Sequence, residues 1–349
     1  MELKIKEKVI GENSPVFIVA DLSANHLQDF DIAVKNIYAI NEIGADAIKL
    51  QTYTPDTITI DCKNDYFKIR YGTVWDGKYL YDLYKEAYMP WEWQPKLKKI
   101  ADDLGIILFS TPFDKTAVDF LEELNVPAYK VASFEITDIP LIEYIASKGK
   151  PVIISTGVAS LKDIEEAVNA CRKQGNKQIA LLKCTSAYPA ILEEMNLRTI
   201  PDMKEKFQTV VGISDHTLSI SVPTASVALG VNIIEKHLTL NRGMGGPDST
   251  FSLEPEEFKA MVKSVREVEK AFGQVSYELS EGVKKNREFS RSLFVVKDIT
   301  AGEEFTEQNV KSIRPGYGLP PKYLKNVLGK KALRDIARGI PLEWGMISK

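Results

Sequence analysis

Only three histidines, three cysteines and four tryptophans occur in 349 residues, and no long apolar run is present. Cys62, Cys171 and Cys184 show no CxxC spacing, which argues against a thiolate metal site or a disulfide framework and fits a reducing compartment. No stretch reaches the ~20 apolar residues of a membrane-spanning helix. The N-terminal MELKIKEKVIGENSP also has no apolar core of a secretion signal, so a cytoplasmic protein without a membrane partner is expected. A basic excess is missing too: 45 Lys and Arg against 48 Asp and Glu leave a formal net charge of −3, which makes nucleic acid a poor partner. Any bound anion must be held by local chemistry.

What is present is ordinary globular material, 44% apolar and 27% charged, in a chain long enough for one barrel of about 250 residues plus an appendage. Eight short apolar runs recur, each turning abruptly polar at its C-terminal end: PVFIVA before DLSANH, AIKLQTY, GIILF before STPF, AYKVA before SFE, PVII before STG, IALL before KCTSAY, VVGIS before DH, and VNII before EKH. Helix-like segments at 32–43, 118–124, 141–146, 161–174, 222–229 and 255–272 separate or follow them. Runs apolar on both faces, alternating with helices, predict a closed parallel (β/α)₈ TIM barrel. Residues 54–90 form the one long irregular insertion, expected to shape substrate access.

In such a barrel the active site lies at the strand C-termini. His216 and His237 each follow one of two consecutive runs joined by one helix, which places both imidazoles at the same sheet edge, either as satisfied structural histidines or as ligands of a divalent metal. The same edge collects Lys49 and Lys130, the carboxylates Asp21, Glu135 and Asp248, and many hydroxyls. A lysine inside a strand needs a partner. That partner is a carboxylate, Glu135 or Glu235, or a small charged anion ringed by Lys49, Lys130, Ser133, Ser155, Ser186 and Ser214.

After Phe272 the pattern changes. Residues 273–290 read as a linker, and 291–349 as a small β-rich domain with one helix-like stretch at 321–327 and a loop, RPGYG, that presents Arg314 and Tyr317.

The motifs ADLSANH, IKLQTYTPD, FSTPF, YKVASFE, ISTG, LKCTSAYP, GISDH, IEKH, GPD and IRPGYGL, in this order and spacing, resemble the sialic acid synthase family. Specifically they resemble its pseudaminic acid branch, with the C-terminal part similar to the antifreeze-like SAF domain. The resemblance implies a TIM barrel over residues 1–272, a linker at 273–290 and a SAF domain at 291–349. It implies condensation of phosphoenolpyruvate with 2,4-diacetamido-2,4,6-trideoxy-L-altrose and water to give pseudaminic acid and phosphate. It also implies a divalent metal, Mn²⁺ with Mg²⁺ or Co²⁺ as substitutes, on His216 and His237. Phosphoenolpyruvate contacts carry over to Lys49, Thr111, Lys130, Ser133, Ser155, Ser186 and Ser214, and sugar contacts to Gln51, Tyr188, Asp248 and Arg314. Asp21, Glu135, Asp248 and Arg314 are the catalytic candidates, with Glu135 the first choice for guiding water. A homodimer is implied in which each SAF domain caps the partner's barrel. Two positions depart from the pattern: Asp21 stands where the family usually has Glu, and Ser186 where the N-acetylneuraminate branch has Asn.

Rival readings are an N-acetylneuraminate or legionaminic acid synthase, a class II aldolase-like lyase, a 3-deoxy sugar acid synthase that takes a phosphorylated sugar, and a sugar-binding protein without catalysis.

Overall fold

A computed structural model describes residues 1–349 except Tyr71, Tyr188 and Pro189. The chain divides into two compact units, Met1–Gly273 and Gln274–Lys349.

The first unit begins with an antiparallel hairpin, β1 (Glu2–Ile5) and β2 (Lys8–Gly11), whose strands of four residues each are too short to stand out in the sequence. There follow β3 (Phe17–Asp21), α1 (Phe30–Glu42), β4 (Ala47–Thr52), α2 (Pro55–Ile58), α3 (Leu80–Ala87), α4 (Gln94–Asp103), β5 (Ile107–Pro112), α5 (Lys115–Glu123), β6 (Tyr129–Val131) and α6 (Ile139–Ala146). The rest of the unit is β7 (Val152–Ser155), α7 (Leu161–Lys173), β8 (Ile179–Cys184), α8 (Thr199–Phe207), β9 (Val210–Asp215), α9 (Ser221–Ala228), β10 (Ile233–His237) and α10 (Pro255–Phe272). Strands β3 to β10 close into a parallel barrel, β10 pairing with β3. The predicted architecture is therefore the observed one. Two helices, α4 and α8, went unread, and the stretch 54–90 contains α2 and α3 where only irregular chain was expected.

Strand alternation sorts the side chains into two layers. Ile18, Ala20, Ile48, Leu50, Val211, Ile213 and Ile234 join the cluster packed under the helices. Phe17, Val19, Ala47, Phe109, Ile153, Leu182, Val210 and Ile233 fill the lumen, joined by Leu3, Ile5 and Ile10 of the hairpin, which close the end where the strands begin. Gly212 sits in this inner tier because a Cβ there would run into Ile233 O and the Leu182 side chain. Further along each strand the inward positions stop being apolar.

The second unit contains α11 (Glu281–Asn286), an antiparallel pair β11 (Ser292–Val295) and β12 (Val310–Ile313), and the short α12 (Leu324–Val327). Leu293, Val295, Ile299, Phe305, Val310 and Leu342 are among the buried residues of its own core. Gly318 lies hard against main chain at Leu293 and Leu342, where no side chain fits. Gly316 N–H donates to Glu288 O at 2.8 Å and Ser292 Oγ donates to Pro315 O at 2.6 Å, so the loop is fixed through its backbone and leaves Arg314 exposed.

Candidate active site

The inward column of each strand turns polar over its last residues: Asp21 on β3, Lys49 and Gln51 on β4, Lys130 on β6, Ser155 on β7, Cys184 on β8, Ser214 on β9, and Glu235 and His237 on β10. With Ser133, Glu135, His216 and Asp248 from the following loops, they line a cavity of about 480 Å³. Twelve of the residues singled out in the sequence meet here, Glu235 among them. Thr111, in register with Gln51, is buried with its hydroxyl unpartnered among the described residues, but it does not line this cavity. Ser186 is adjacent, 3.6 Å from Cys184 Sγ. Tyr188 lies outside the described residues, and Arg314 belongs to the second unit.

The strand lysines have carboxylate partners. Lys49 Nζ is 2.8 Å from Asp21 Oδ2 and 3.0 Å from Glu235 Oε1, and Lys130 Nζ is 3.7 Å from the same Glu235 oxygen. Lys130 also donates to Ser155 Oγ at 2.7 Å, and Ser214 Oγ donates to Glu235 at 3.1 Å. Of the two carboxylates considered, Glu235 therefore holds the lysines and Glu135 does not. Burial alone would raise the Glu235 carboxyl, but the Lys130 and Lys49 charges more than reverse it and hold it at about 2. Asp21 is pushed the other way, to about 6, because burial and the nearby Glu235 charge outweigh Lys49. Outside the lumen, Lys236 Nζ pairs with Asp215 at 2.5 Å, both fully buried.

Glu135 follows β6 on a single 3₁₀ turn. Its Oε2 is buried without a hydrogen-bond partner among the described residues, and burial lifts the carboxyl to about 7, against the smaller pull of Lys130. Asp248 is also raised by burial, while accepting from Ser23 Oγ and, at 3.2 Å, from Ala24 N–H. Gln51 Nε2 donates to the same Ser23 hydroxyl at 3.0 Å. Ser133 Oγ accepts from Gly157 N–H at 2.6 Å, and any side chain at 157 would collide with the hydroxyls of Ser133 and Ser186.

The two imidazoles face each other with ring centroids 5.1 Å apart. His237 Nδ1 is buried with no hydrogen-bond partner among the described residues, and burial together with the surrounding His216 and lysine charges keeps this ring neutral. A neutral ring with an unused nitrogen is what a divalent metal requires. His216 Nδ1 lies 3.2 Å from Thr185 O and 4.0 Å from Cys184 Sγ. Among the described residues no group of three or more His, Cys, Asp or Glu is arranged around a metal position. The donor set is two imidazoles, fitting a metal that keeps sites for water and substrate.

Sequence reasoning left Ser23, Cys184, Phe251 and an apolar group from residues 53–87 off the list of lining residues. Strand alternation does carry a signal for Cys184, two residues beyond Leu182. Leu80, Leu83, Tyr84 and Ala87 carry one too, the i, i+3, i+4, i+7 spacing of α3, whereas Ser23, Ile69, Trp75 and Phe251 lie outside the strands and α-helices.

Comparison with known proteins adds the following. Residues 36–277 match the NeuB family and residues 290–348 the SAF domain. The pseudaminic acid synthase of Campylobacter jejuni is 46% identical over 330 residues, 95% of this chain and 96% of that one. The pseudaminic acid synthase of Helicobacter pylori is 44% identical over 329 residues, 94% and 96% of the two chains. The crystal structure of N-acetylneuraminic acid synthetase from Leptospira borgpetersenii superposes with a TM-score of 0.73 at 32% identity, covering 83% of this chain and 96% of that one.

Proposed function

The chain belongs to the NeuB family and carries a SAF domain, and from that premise we propose that it condenses phosphoenolpyruvate with an N-acylated amino-sugar aldehyde. The product is a nonulosonic acid, with 2,4-diacetamido-2,4,6-trideoxy-L-altrose as the acceptor and pseudaminic acid the result. What carries the reading is one cavity that holds two buried lysines, a neutral imidazole opposite a second imidazole, and a carboxyl poised near neutrality, in a chain 44–46% identical to pseudaminic acid synthases.

Lys49 and Lys130, with the hydroxyls of Ser155 and Ser214 and the nearby Ser133, Ser186 and Thr111, bind the carboxylate and phosphate of phosphoenolpyruvate. The anion takes over part of the role that Glu235 plays in holding the lysines. Gln51, Asp248, Tyr188 and Arg314 take the sugar. Carbon 3 of phosphoenolpyruvate bonds to the aldehyde carbon, water adds to carbon 2, and phosphate departs. Glu135, ionised and protonated in comparable amounts near pH 7, guides that water and accepts its proton. Asp21 and Asp248 handle the proton at the sugar oxygen. His216 and His237 would hold the divalent metal, Mn²⁺ in this reading, which supplies Lewis acidity toward the aldehyde oxygen.

Residues 1–272 serve as the catalytic barrel, 273–290 as linker and 291–349 as the SAF domain of a cytoplasmic homodimer, in which Arg314 completes the partner's site. No helix among the described residues is long and apolar enough to cross a membrane.

The test is phosphate release from phosphoenolpyruvate with Mn²⁺ and a panel of acceptors: the trideoxy-altrose, its legionaminic stereoisomer and N-acetylmannosamine. The highest kcat/KM is expected with the trideoxy-altrose. A clear preference for N-acetylmannosamine would overturn the assignment.

A further inference from the structure

The cavity has two unlike ends. Its floor, at the strand termini, is made of ions and imidazoles, whereas residues 53–87 supply an apolar side: Ile58, Ile69, Trp75, Leu80 and Leu83 line the same space. Two tyrosines of the same segment, Tyr53 and Tyr84, also line the cavity, but they lie by the charged floor, Tyr53 beside Asp248 and Tyr84 beside Glu135, so the wall beyond them is apolar, and it is built, not incidental. Ile69 and Leu83 are each 7% exposed. Ile69 is pinned by its own backbone, its N–H donating to Lys78 O at 2.9 Å and its carbonyl accepting from Gly77 N–H at 3.0 Å. Trp75 ties the insertion to the loop after β10, its Nε1–H donating to Pro247 O at 2.8 Å, so the single polar group of these five side chains is directed to main chain.

We infer that this insertion wall is the specificity element that reads carbon 6 of the acceptor sugar, accepting a methyl group and disfavouring a hydroxymethyl group. The inference rests on the synthase reading above. Condensation fixes carbon 1, the aldehyde, at the charged floor, where the lysines and imidazoles are. In an open-chain hexose carbon 6 is the far terminus, directed away from that floor and toward the insertion. There it meets Ile69, Leu80 and Leu83, none of which can hydrogen-bond. A hydroxyl at that carbon loses water without gaining a partner, and a methyl group gains contact. An apolar pocket discriminates against an added hydroxyl by only about a hundredfold at most, which sets the scale of the effect.

The experiment compares two acceptors that differ at one carbon, 2,4-diacetamido-2,4,6-trideoxy-L-altrose and its 6-hydroxy counterpart, by phosphate release at saturating phosphoenolpyruvate. The parent protein should favour the 6-deoxy sugar ~10–100-fold in kcat/KM, mainly through KM. Leu80→Asn and, separately, Ile69→Thr should cut that ratio by about tenfold, while Ile69→Val, which keeps the wall apolar, should preserve it. Thermal melting of each variant identifies any that fail to fold, and the parent's own ratio tests the inference without them. Equal kcat/KM for the two sugars in the parent, or a ratio unmoved in folded Leu80→Asn and Ile69→Thr, overturns the role of the wall while leaving the synthase reading intact. Absence of phosphate release with both sugars overturns the synthase reading, and this inference with it.

Discussion

The ammonium of Lys49 stands 3.0 Å from the carboxylate of Glu235, two strands away around the barrel, and both groups are buried. Glu235 also faces Lys130 at 3.7 Å, so one carboxylate serves two cations. Removing one member of a buried ion pair typically costs ~3–5 kcal/mol, because the charge left behind cannot return to water. Glu235→Gln should therefore lower the free energy of unfolding in urea by that order, and inorganic phosphate should restore part of the loss by standing in for the carboxylate. A change below about 1 kcal/mol, the scale of an exposed pair, would show that Lys49 and Lys130 are not held by Glu235.

Glu135 gives a pH signature. Its carboxyl is raised from 4.5 to about 7, so the folded protein retains a proton that the unfolded chain releases between those values. The associated stability is fully present below about 4.5 and is lost as pH rises through 7. Glu135→Gln cannot ionise and should gain on the parent across that window, by about 3 kcal/mol at its upper end. Urea denaturation at pH 5 and pH 8 measures the gap. A gap that stays constant or shrinks toward pH 8 contradicts the burial argument.

Metal binding should depend on both imidazoles. His216→Ala and His237→Ala should each weaken Mn²⁺ binding, followed by calorimetry, by more than the roughly 10–100-fold typical of losing an outer-shell contact, and should abolish phosphate release. Chelator should inactivate the parent reversibly. Full activity in excess chelator would remove the Lewis-acid role.

Arg314 offers a complementation test. Arg314→Ala and His237→Ala proteins, each nearly inactive, are mixed under conditions of subunit exchange. If Arg314 serves the partner's barrel, each heterodimer has one site with both defects and one with neither, and activity returns to roughly half of the parent value per heterodimer. A mixture that stays inactive despite demonstrated exchange would assign Arg314 to its own barrel.

The eight barrel strands were legible because each is apolar on both faces and ends in a sharp polar break, as VVGIS does before Asp215 and His216. Helices α4 and α8 were not. Their buried residues, Gln94, Leu97 and Ala101 in one and Ile200, Met203 and Phe207 in the other, do keep the i, i+3, i+7 spacing, but polar Gln94 and the prolines Pro95 and Pro201 beside the first member of each set obscure the apolar face. The polar ring was legible residue by residue, since alternation sends Lys49, Ser214 and His237 to one face. Of the wall, Leu80 and Leu83 share one face of α3, but Ile58 and Ile69 are scattered through a polar stretch and join them only in three dimensions.

Glu235, Lys236 and His237 are consecutive, yet β10 turns the first and third into the lumen and the second outward to Asp215. If β10 slipped by one residue while folding, every side chain would change faces. Lys236 would then sit beside Lys49 and Lys130, three ammonium groups without Glu235, while Glu235 would be driven toward Asp215. Like charges about 4 Å apart repel by ~4 kcal/mol even at an effective dielectric constant of 20. The misaligned strand is thus rejected on both faces at once, so the opposite charges of the adjacent Glu235 and Lys236 work as an alignment check on the strand that closes the barrel.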